Sequence, residues 1–181
     1  MRFEEEHYTL DGKNIILRCA EKEDADMLID YLKTVCSETR FLLVNADEVK
    51  YTTEQEESFI ESMNDAEGKM LMLAYVDGEY AGNCSFQVQG NSRRSKHRCD
   101  FGIALFQKYT GFGLGRLMME STIKKAGAAG FEQMELTVFS NNDNAIRLYK
   151  SLGFVETGRL PNASRYDDGT YSDDIFMVKE L

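Results

Sequence analysis

The sequence predicts an α/β domain built on a mixed, mostly antiparallel sheet flanked by helices, and three observations support that prediction. Strand-like and helix-like segments alternate along the 181 residues. The second half runs strand, helix, strand, helix, strand, an order that implies a partly parallel sheet. The length and a hydrophobic fraction of 43% suit one domain with a core of its own, so we expect a single domain over residues 1–181.

In the first part of the chain, the spacing of apolar residues distinguishes a predicted strand from two predicted helices. Residues 14–19 (NIILRC) form a short β-prone run, and residues 23–35 carry apolar side chains at the spacing of an amphipathic helix. A second helix should start at Thr53, whose hydroxyl can cap it while Glu56 reaches back to the cap. The chain therefore predicts a strand and then two helices before any long apolar run.

The middle of the chain changes to strand patterns. The apolar run 70–76 predicts a buried strand, and the Asp-Gly pair at 77–78 favours a tight hairpin turn. Residues 79–89 should return as the partner strand. The polar and basic segment 91–98 (NSRRSKHR) predicts a turn or loop, and a further strand is expected over 98–106.

In the last part of the chain, from residue 113 onward, predicted helices again alternate with predicted strands. Residues 113–129 place apolar side chains on one broad helix face, and residues 133–139 alternate apolar and polar side chains as a strand does. Gly153 stops the short helix predicted before it. The remaining predicted elements are that helix at 144–152, strands at about 154–160 and 170–178, and a turn at Asp168-Gly169.

Charge and cysteine content narrow the function. Lys+Arg 21 against Asp+Glu 31 gives a formal charge of -10, which argues against general binding of nucleic acid or anionic membranes. The acidity serves either solubility or the attraction of a cationic substrate. Four scattered cysteines without a CxxC pair, and only two histidines, give no recognisable metal-ligand spacing.

The same features bear on localisation. The N-terminus has neither the basic start nor the apolar stretch of a signal peptide. The longest apolar run, 70–76, is far below the about 20 residues that cross a bilayer. Scattered cysteines then indicate reduced thiols, so we expect a cytoplasmic protein with no membrane or nucleic-acid partner.

The most informative stretch is DFGIALFQKYTGFGLGR, residues 100–116, in which a predicted strand runs through Gly111, Gly113 and Gly115 into a helix. Glycines at that junction let the backbone approach a ligand, and the helix N-terminus presents N–H groups to an anion such as a phosphate. A Walker loop is excluded because no GxxxxGK[ST] occurs, and a dinucleotide fingerprint lacks its third glycine, since Arg116 stands there. A turn without a ligand is the other interpretation.

A second segment, NDNAIRLYKSLGF over residues 142–154, favours the ligand-binding interpretation of the glycine loop over an empty turn. Together with the glycine loop it resembles the GNAT superfamily of acetyl-CoA-dependent N-acetyltransferases, which pairs a Q/R-x-x-G-x-G/A loop with a downstream N-x-x-A-x-x-L-Y-x-x-x-G-F segment. Both are present in order, and the likeness is strongest over about 98–154. One departure is Thr110, which stands where the family most often has Gln or Arg, so altered phosphate contacts are expected.

The resemblance implies a fold, a co-substrate and a set of roles. It implies a GNAT-like domain whose splayed pair of parallel strands holds acetyl-CoA near Leu105 and Val138. Tyr149 matches the tyrosine that protonates the leaving thiolate, against the alternative of a helix tyrosine packed on the sheet. The residues implied to bind the co-substrate are Leu105 through its N–H, Thr110, Gly111, Phe112, Gly113, Leu114, Gly115, Arg116 and Asn142.

Several of these residues have a plainer interpretation. Asn142 stands directly before a predicted helix and can cap it, a role compatible with cofactor contact. Arg116, Lys124 and Lys125 can supply positive charge near the co-substrate or simply form a solvated helix face. These alternatives concern side chains and leave the prediction of a ligand-binding glycine loop unchanged.

Strand 98–106 provides a separate argument. Phe101, Ile103 and Leu105 fall on one face, while Asp100, Gly102 and Ala104 fall on the other, where two small residues leave room for a guest. Asp100 is our candidate general base or water-positioning group, because it occupies the acidic position often found on this family's strand. A carboxylate simply paired with Arg98 or Lys96 is the alternative.

The acceptor is an amine whose identity the motifs leave open. The closing segment 166–174 holds four aspartates and, with residues 158–160, resembles branches that include diamine and polyamine acetyltransferases. A solvated hairpin explains the same residues. We therefore expect acetyl transfer to a primary amine of a small molecule, a polyamine or diamine among the candidates. Protein N-terminal or lysine acetylation and a non-catalytic acyl-CoA sensor are the alternatives, and a homodimer is an expectation by resemblance.

Overall fold

The computed structural model describes residues 1–90 and 92–181, which form eight strands and four α-helices. Asn91, at the start of the predicted loop 91–98, lies outside the described residues, and residues 92–97 form turns as expected. The strands are β1 (Glu6–Leu10), β2 (Lys13–Cys19), β3 (Lys69–Val76), β4 (Glu79–Val88), β5 (Arg98–Leu105), β6 (Gln133–Phe139), β7 (Val155–Arg165) and β8 (Tyr171–Glu180). The helices are α1 (Ala25–Glu38), α2 (Thr53–Asp65), α3 (Leu114–Ala128) and α4 (Asp143–Ser151).

The strands form one sheet in the order β1-β2-β3-β4-β5-β6-β8-β7. Every neighbouring pair is antiparallel except β5 and β6, which are parallel and are joined through α3. The predicted mixed, mostly antiparallel sheet with one parallel pair is therefore confirmed. Its parallel pair arises because a helical crossover returns the chain in the same direction.

Hairpin turns are set by Asp-Gly pairs. Asp77 and Gly78 have φ of 50° and 85°, the left-handed pair that a two-residue turn between twisted strands requires. Asp11 and Gly12, with φ of 52° and 74°, form the same turn between β1 and β2. Strand β1 was not predicted from the sequence, although its Asp-Gly pair carried the signal.

Helix α2 begins at Thr53, as predicted, but its cap lies one residue earlier. The Thr52 hydroxyl accepts the backbone N–H of Gln55 at 3.3 Å, and the Gln55 side chain accepts the Thr52 N–H at 2.9 Å. The predicted capping by Thr53 and Glu56 is therefore wrong. The consequence is that the Glu56 carboxylate is not used by the cap.

Helices cover both faces of the sheet. On one face, α3 packs Leu114, Met118 and Met119 onto strand residues that include Phe86, all of them buried. On the other face, α1 and α2 form a smaller core, whose buried members are Ala20, Ala25, Leu28, Ile60, Met63, Leu71 and Leu73. No helix in the described part of the chain is long and apolar enough to cross a membrane.

A substitution at Phe86 tests how much the packing of the larger core stabilises the fold. Its side chain is fully buried on β4, and its ring packs edge-to-face on Phe131 with centroids 5.6 Å apart. Replacing it with alanine should lower the free energy of unfolding by about 3–5 kcal/mol, because the cavity is walled by strands and α3 and cannot collapse. Denaturant unfolding measures this, and Phe176→Ala, on a ring that is 41% exposed, should cost clearly less. Equal losses would contradict the assigned core.

Candidate active site

The sheet divides where β5 and β6 part. The two strands pair at only three positions, Arg98 with Gln133, Cys99 with Met134 and Asp100 with Glu135, although β5 continues to Leu105 and β6 to Phe139. Beyond those pairs the strands are not hydrogen-bonded to one another. A gap therefore opens within the sheet, at the C-terminal ends of two parallel strands, where open α/β sheets bind their ligands.

The glycine loop closes one side of this gap. Gly111 and Gly113 have φ of 89° and 98°, a region that favours glycine, and a Cβ at Gly111 would meet no atom within 4 Å. Gly113 is the N-cap of the 15-residue helix α3, which begins at Leu114. The first N–H groups of a helix have no intrahelical acceptor, so they and the positive end of the helix dipole are available to an anion.

Backbone geometry at the end of β5 directs one N–H into the gap. Phe106 donates its N–H to Ala81 O at 3.0 Å, toward β4, and successive N–H groups of a strand alternate sides. The Ala104 carbonyl lies against Gly82 of β4 and accepts the Tyr31 hydroxyl at 2.6 Å. In a trans peptide that carbonyl and the following N–H point in opposite directions, so the Leu105 N–H faces the β6 side.

The other residues of the loop differ in what their side chains do. Thr110 lines the cleft, but its hydroxyl and its N–H both donate to Gln107 O, at 2.8 Å and 3.1 Å, so neither is free for a ligand. Phe112 and Leu114 pack on the core, and Leu114 is only 1% exposed. The Arg116 guanidinium donates to Ser151 Oγ at 2.6 Å, which fixes it beside α4.

Two lysines of α3 play no visible part in the gap. Lys125 donates to Glu6 Oε1 at 2.6 Å and to Ser121 Oγ at 2.9 Å, so its charge is committed to β1. Lys124 is exposed on the helix surface. Neither residue lines the cavities described below. The solvated-face interpretation fits Lys124, whereas Lys125 is a mostly buried partner of Glu6.

Helix α4 places Asn142 and Tyr149 on the opposite side of the gap. Asn142 caps the helix, its Oδ1 accepting the Ala145 N–H at 3.3 Å, and it still lines the gap, so the predicted cap is present. Tyr149 is 8% exposed and packs against Phe154, with ring centroids 6.0 Å apart. Burial raises the pKa of the Tyr149 phenol to about 12, so it remains protonated throughout the neutral range.

Two cavities meet at this point. The glycine-loop cleft, about 1080 Å³, is lined by Leu105, Thr110, Gly111, Gly113, Gly115 and Arg116 among others. The apolar cavity, about 780 Å³, lies between the sheet and helices α1 and α2. The residues that line both are Phe41, Leu42, Ile103, Ala104, Asn142 and Tyr149. A molecule in each cavity would therefore meet the other beside the Tyr149 side chain.

Asp100 lies further back along β5. It occupies the last position at which β5 and β6 pair, opposite Glu135, and it is absent from the described lining of both cavities. Arg98 pairs with Glu135, their Nη2 and Oε2 atoms 2.7 Å apart, and the described residues give Asp100 no ion-pair partner. Burial, with the nearby Glu135 charge, raises the pKa of the Asp100 carboxyl.

No motif predicted the apolar cavity. Its walls come from segments far apart in the chain, and its two carboxylates were singled out for other reasons, Glu56 as part of a helix cap and Asp174 as one of the four closing aspartates. Of the four closing aspartates, Asp168 is held by Thr170 and Arg40, and Asp173 bonds the Asn162 N–H at 2.8 Å. Only Asp174 faces the cavity.

These features fit an acyl-CoA. The open space at Gly111 and the free helix N–H groups suit a phosphate-bearing group, and the Leu105 N–H suits a carbonyl oxygen in the gap. A cleft for a phosphorylated donor meets a separate cavity beside a buried phenol. This is the arrangement of a group-transfer enzyme with two substrates.

The model of the acetyltransferase (GNAT) family matches residues 33–154. The chain belongs to the GNAT family and is an acetyl-CoA-dependent N-acetyltransferase.

Individual relatives agree with the family assignment. The L-amino acid N-acetyltransferase AaaT of Escherichia coli is 32% identical over 121 residues, which cover 66% of this chain and 73% of the relative. The structure of a GNAT-family acetyltransferase from Streptococcus pneumoniae superposes with a TM-score of 0.87 at 30% identity, covering 92% of this chain and 99% of that one. A Salmonella typhimurium acetyltransferase solved with acetyl-CoA shares the fold, with a TM-score of 0.81 at 23% identity and coverage of 93% and 94%.

Proposed function

We propose that this chain, as one domain over residues 1–181, transfers the acetyl group of acetyl-CoA to the primary amine of a small molecule in the cytoplasm. The observation that carries the proposal is the meeting of the glycine-loop cleft and the apolar cavity, which share Tyr149 and Asn142 in their lining. The volume of the apolar cavity, about 780 Å³, favours a small acceptor, and four unpaired cysteines suit a reducing compartment.

In this proposal the backbone holds the donor. The N–H groups of residues 111–116, at the glycine loop and the start of α3, bind phosphate oxygens, and the Asn142 amide nitrogen remains to donate a further bond. The Leu105 N–H donates to the oxygen of the acetyl carbonyl, where negative charge grows during transfer. A donor of this kind is typically worth about 2.7–4 kcal/mol in the transition state.

The side chains move two protons. Acetyl-CoA supplies the acyl group as a thioester, and the amine must be neutral to attack it, although an aliphatic amine with a pKa near 10.4 is mostly protonated at neutral pH. Asp100 accepts the first proton from the amine through water, since it lies behind the lining of both cavities. As the carbon–nitrogen bond forms and the carbon–sulfur bond breaks, the Tyr149 hydroxyl gives its proton to the departing sulfur and regains one from the nitrogen. The net products are the amide, the free thiol and one proton.

A pH profile tests the role of Asp100. Since its active form is the carboxylate and its pKa is raised, kcat/KM should fall as the pH drops through that raised pKa. Asp100→Asn should lose this acidic limb and turn over more slowly at pH 8. Asp167→Asn, on the exposed closing turn, serves as the control and should keep the wild-type profile. An Asp100→Asn enzyme with an unchanged profile would remove Asp100 from the mechanism.

A panel of acceptors tests the function as a whole. The enzyme is incubated with acetyl-CoA and spermidine, a diamine, an amino acid, an aminoglycoside or a short peptide, and products are identified by mass because four free cysteines would react with a thiol dye. Acetylation of a small amine supports the proposal. Transfer to peptide alone would indicate a protein acetyltransferase, and tight acetyl-CoA binding without any transfer would indicate a sensor.

A further inference from the structure

The walls of the apolar cavity are mostly hydrocarbon. Sixteen of its lining residues carry aliphatic or aromatic side chains: Leu28, Tyr31, Leu32, Phe41, Leu42, Leu43, Tyr51, Phe59, Leu71, Phe101, Ile103, Ala104, Leu136, Val138, Phe139 and Tyr149. Three of these remain strongly exposed, Leu43 at 81%, Tyr51 at 49% and Phe59 at 46%. Large apolar side chains left exposed around a cavity indicate that an apolar ligand covers them.

The charged groups of the cavity are all negative. Glu56 and Asp174 are its carboxylates, and among the described residues no lysine, arginine or histidine lines it. Burial raises the pKa of both carboxyls, and Asp173 adds to the effect at Asp174. Two carboxylates in an apolar enclosure favour a cationic guest and oppose an anionic one.

Glu56 is the carboxylate available to a guest. It lies in the first turn of α2 and is half-buried, and the described residues give its side chain no hydrogen bond or ion pair. Its neighbour Glu57 is different, because Glu57 Oε2 pairs with Lys22 Nζ at 3.2 Å outside the cavity. Since Gln55 provides the capping contact, the Glu56 side chain has no structural task in the helix cap.

Arg40, a cation of the adjoining glycine-loop cleft, is committed elsewhere. Arg40 lines the glycine-loop cleft, not the apolar cavity. Its guanidinium stacks on the Tyr166 ring at 3.5 Å and donates to Asp168 Oδ2 at 3.3 Å and Thr170 Oγ1 at 3.1 Å. A carboxylate carried into the apolar cavity would therefore lose its water without gaining a cation, which is unfavourable.

We propose that the acceptor is a primary amine with an aromatic or alkyl body and no carboxylate, and that Glu56 supplies the negative charge that draws its ammonium group into the apolar cavity. This inference rests on the proposed function and narrows its substrate class. It separates the acceptor from free amino acids, because the described lining of the cavity offers their carboxylate no cation. It also separates the acceptor from polyamines, whose several ammonium groups would lie against hydrocarbon walls.

A matched pair of acceptors tests the inference on the unaltered enzyme. 2-Phenylethylamine and L-phenylalanine share the same ring and amine and differ in the α-carboxylate. We expect kcat/KM for 2-phenylethylamine to exceed that for L-phenylalanine by about 100-fold, because only the amino acid brings an unpaired anion into the cavity. Spermidine should also be the poorer acceptor.

A pair of variants tests Glu56. Glu56→Gln should lower kcat/KM for 2-phenylethylamine by about tenfold and should narrow its advantage over L-phenylalanine, since the repelling charge is gone. Glu57→Gln makes the same change on the same helix outside the cavity and should leave both values unchanged. The KM for acetyl-CoA should not move in either variant. A loss of folded enzyme would lower kcat/KM for both acceptors by the same factor, so only an effect on acceptor binding narrows the ratio between them.

The outcomes separate this inference from the proposed function. Preference for L-phenylalanine or spermidine would overturn the inference and leave small-amine acetylation standing. Failure of every small amine, with acetyl-CoA still bound, would overturn both. If Glu56→Gln does not fold, the comparison of the two acceptors on the unaltered enzyme still decides the question.

Discussion

Replacing Tyr149 by phenylalanine is expected to lower kcat by about 100-fold or more, the usual range for removing a positioned acid, with little change in the Kd of acetyl-CoA. The hydroxyl is the only atom removed, and the ring can keep its packing against Phe154. Tyr149 lies where both cavities meet, and burial raises its pKa to about 12, so it holds its proton throughout the neutral range.

The measurement is steady-state turnover together with calorimetric binding of acetyl-CoA. Tyr8→Phe is the control, since Tyr8 lies on β1 and its hydroxyl donates to Glu6 Oε2 at 3.1 Å, away from both cavities. Its turnover should match that of the unaltered enzyme. In the unaltered enzyme, kcat should not decline between pH 7 and 10 through ionisation of Tyr149. Undiminished kcat in Tyr149→Phe would show that the sulfur takes its proton from another group.

Gly82→Ala should reduce kcat/KM by about 100- to 1000-fold, the loss typical of removing one donor to a developing oxyanion. A Cβ at Gly82 would overlap the Ala104 carbonyl oxygen and lie 2.8 Å from Leu105 Cα. Both are backbone atoms that cannot rotate aside, and Gly82 also has a φ of 147°. The end of β5 must therefore move, and the Leu105 N–H moves with it.

A second glycine separates the effect on the site from backbone strain. Gly12→Ala introduces the same methyl group at a φ of 74°, in the β1–β2 turn, where a Cβ meets nothing within 4 Å. It should lower thermal stability by the cost of a left-handed residue, about 1–2 kcal/mol, and leave kcat/KM intact. If Gly82→Ala lost only stability and kept its kcat/KM, the Leu105 N–H would have no part in the reaction.

Most of the fold could be predicted because its elements are marked locally. Strand β6 was predicted with its observed bounds, and Gly153 ends α4 where expected. Strand β1 was missed because its side chains are mostly exposed and show no apolar alternation. The cap of α2 was placed one residue late because Thr52 and Thr53 are adjacent threonines, and only the backbone decides which one precedes the helix.

The parts of the site that could be predicted are those formed by short, contiguous stretches of the chain. The glycine loop and the segment from Asn142 to Tyr149 are short stretches whose spacing sets their geometry. The apolar cavity has no such signature, because residues such as Leu28, Phe59 and Phe139 come together only through tertiary packing. For the same reason, the sequence pointed to Glu56 only as a capping residue, a role that Gln55 takes, and not as a residue of a cavity.

The division of the sheet also bears on the unpaired strand edges of the domain. Unpaired strand edges recruit other chains, and this molecule has two pairs of them. The outer pair is β1 and β7, and β7 is interrupted by Pro161 and by irregular register between Leu160 and Ser164. The inner pair, residues 101–105 of β5 and 136–139 of β6, face one another inside the domain. The inner edges of β5 and β6 would promote aggregation if they lay on the surface. Inside the domain they are available to a ligand that enters the gap.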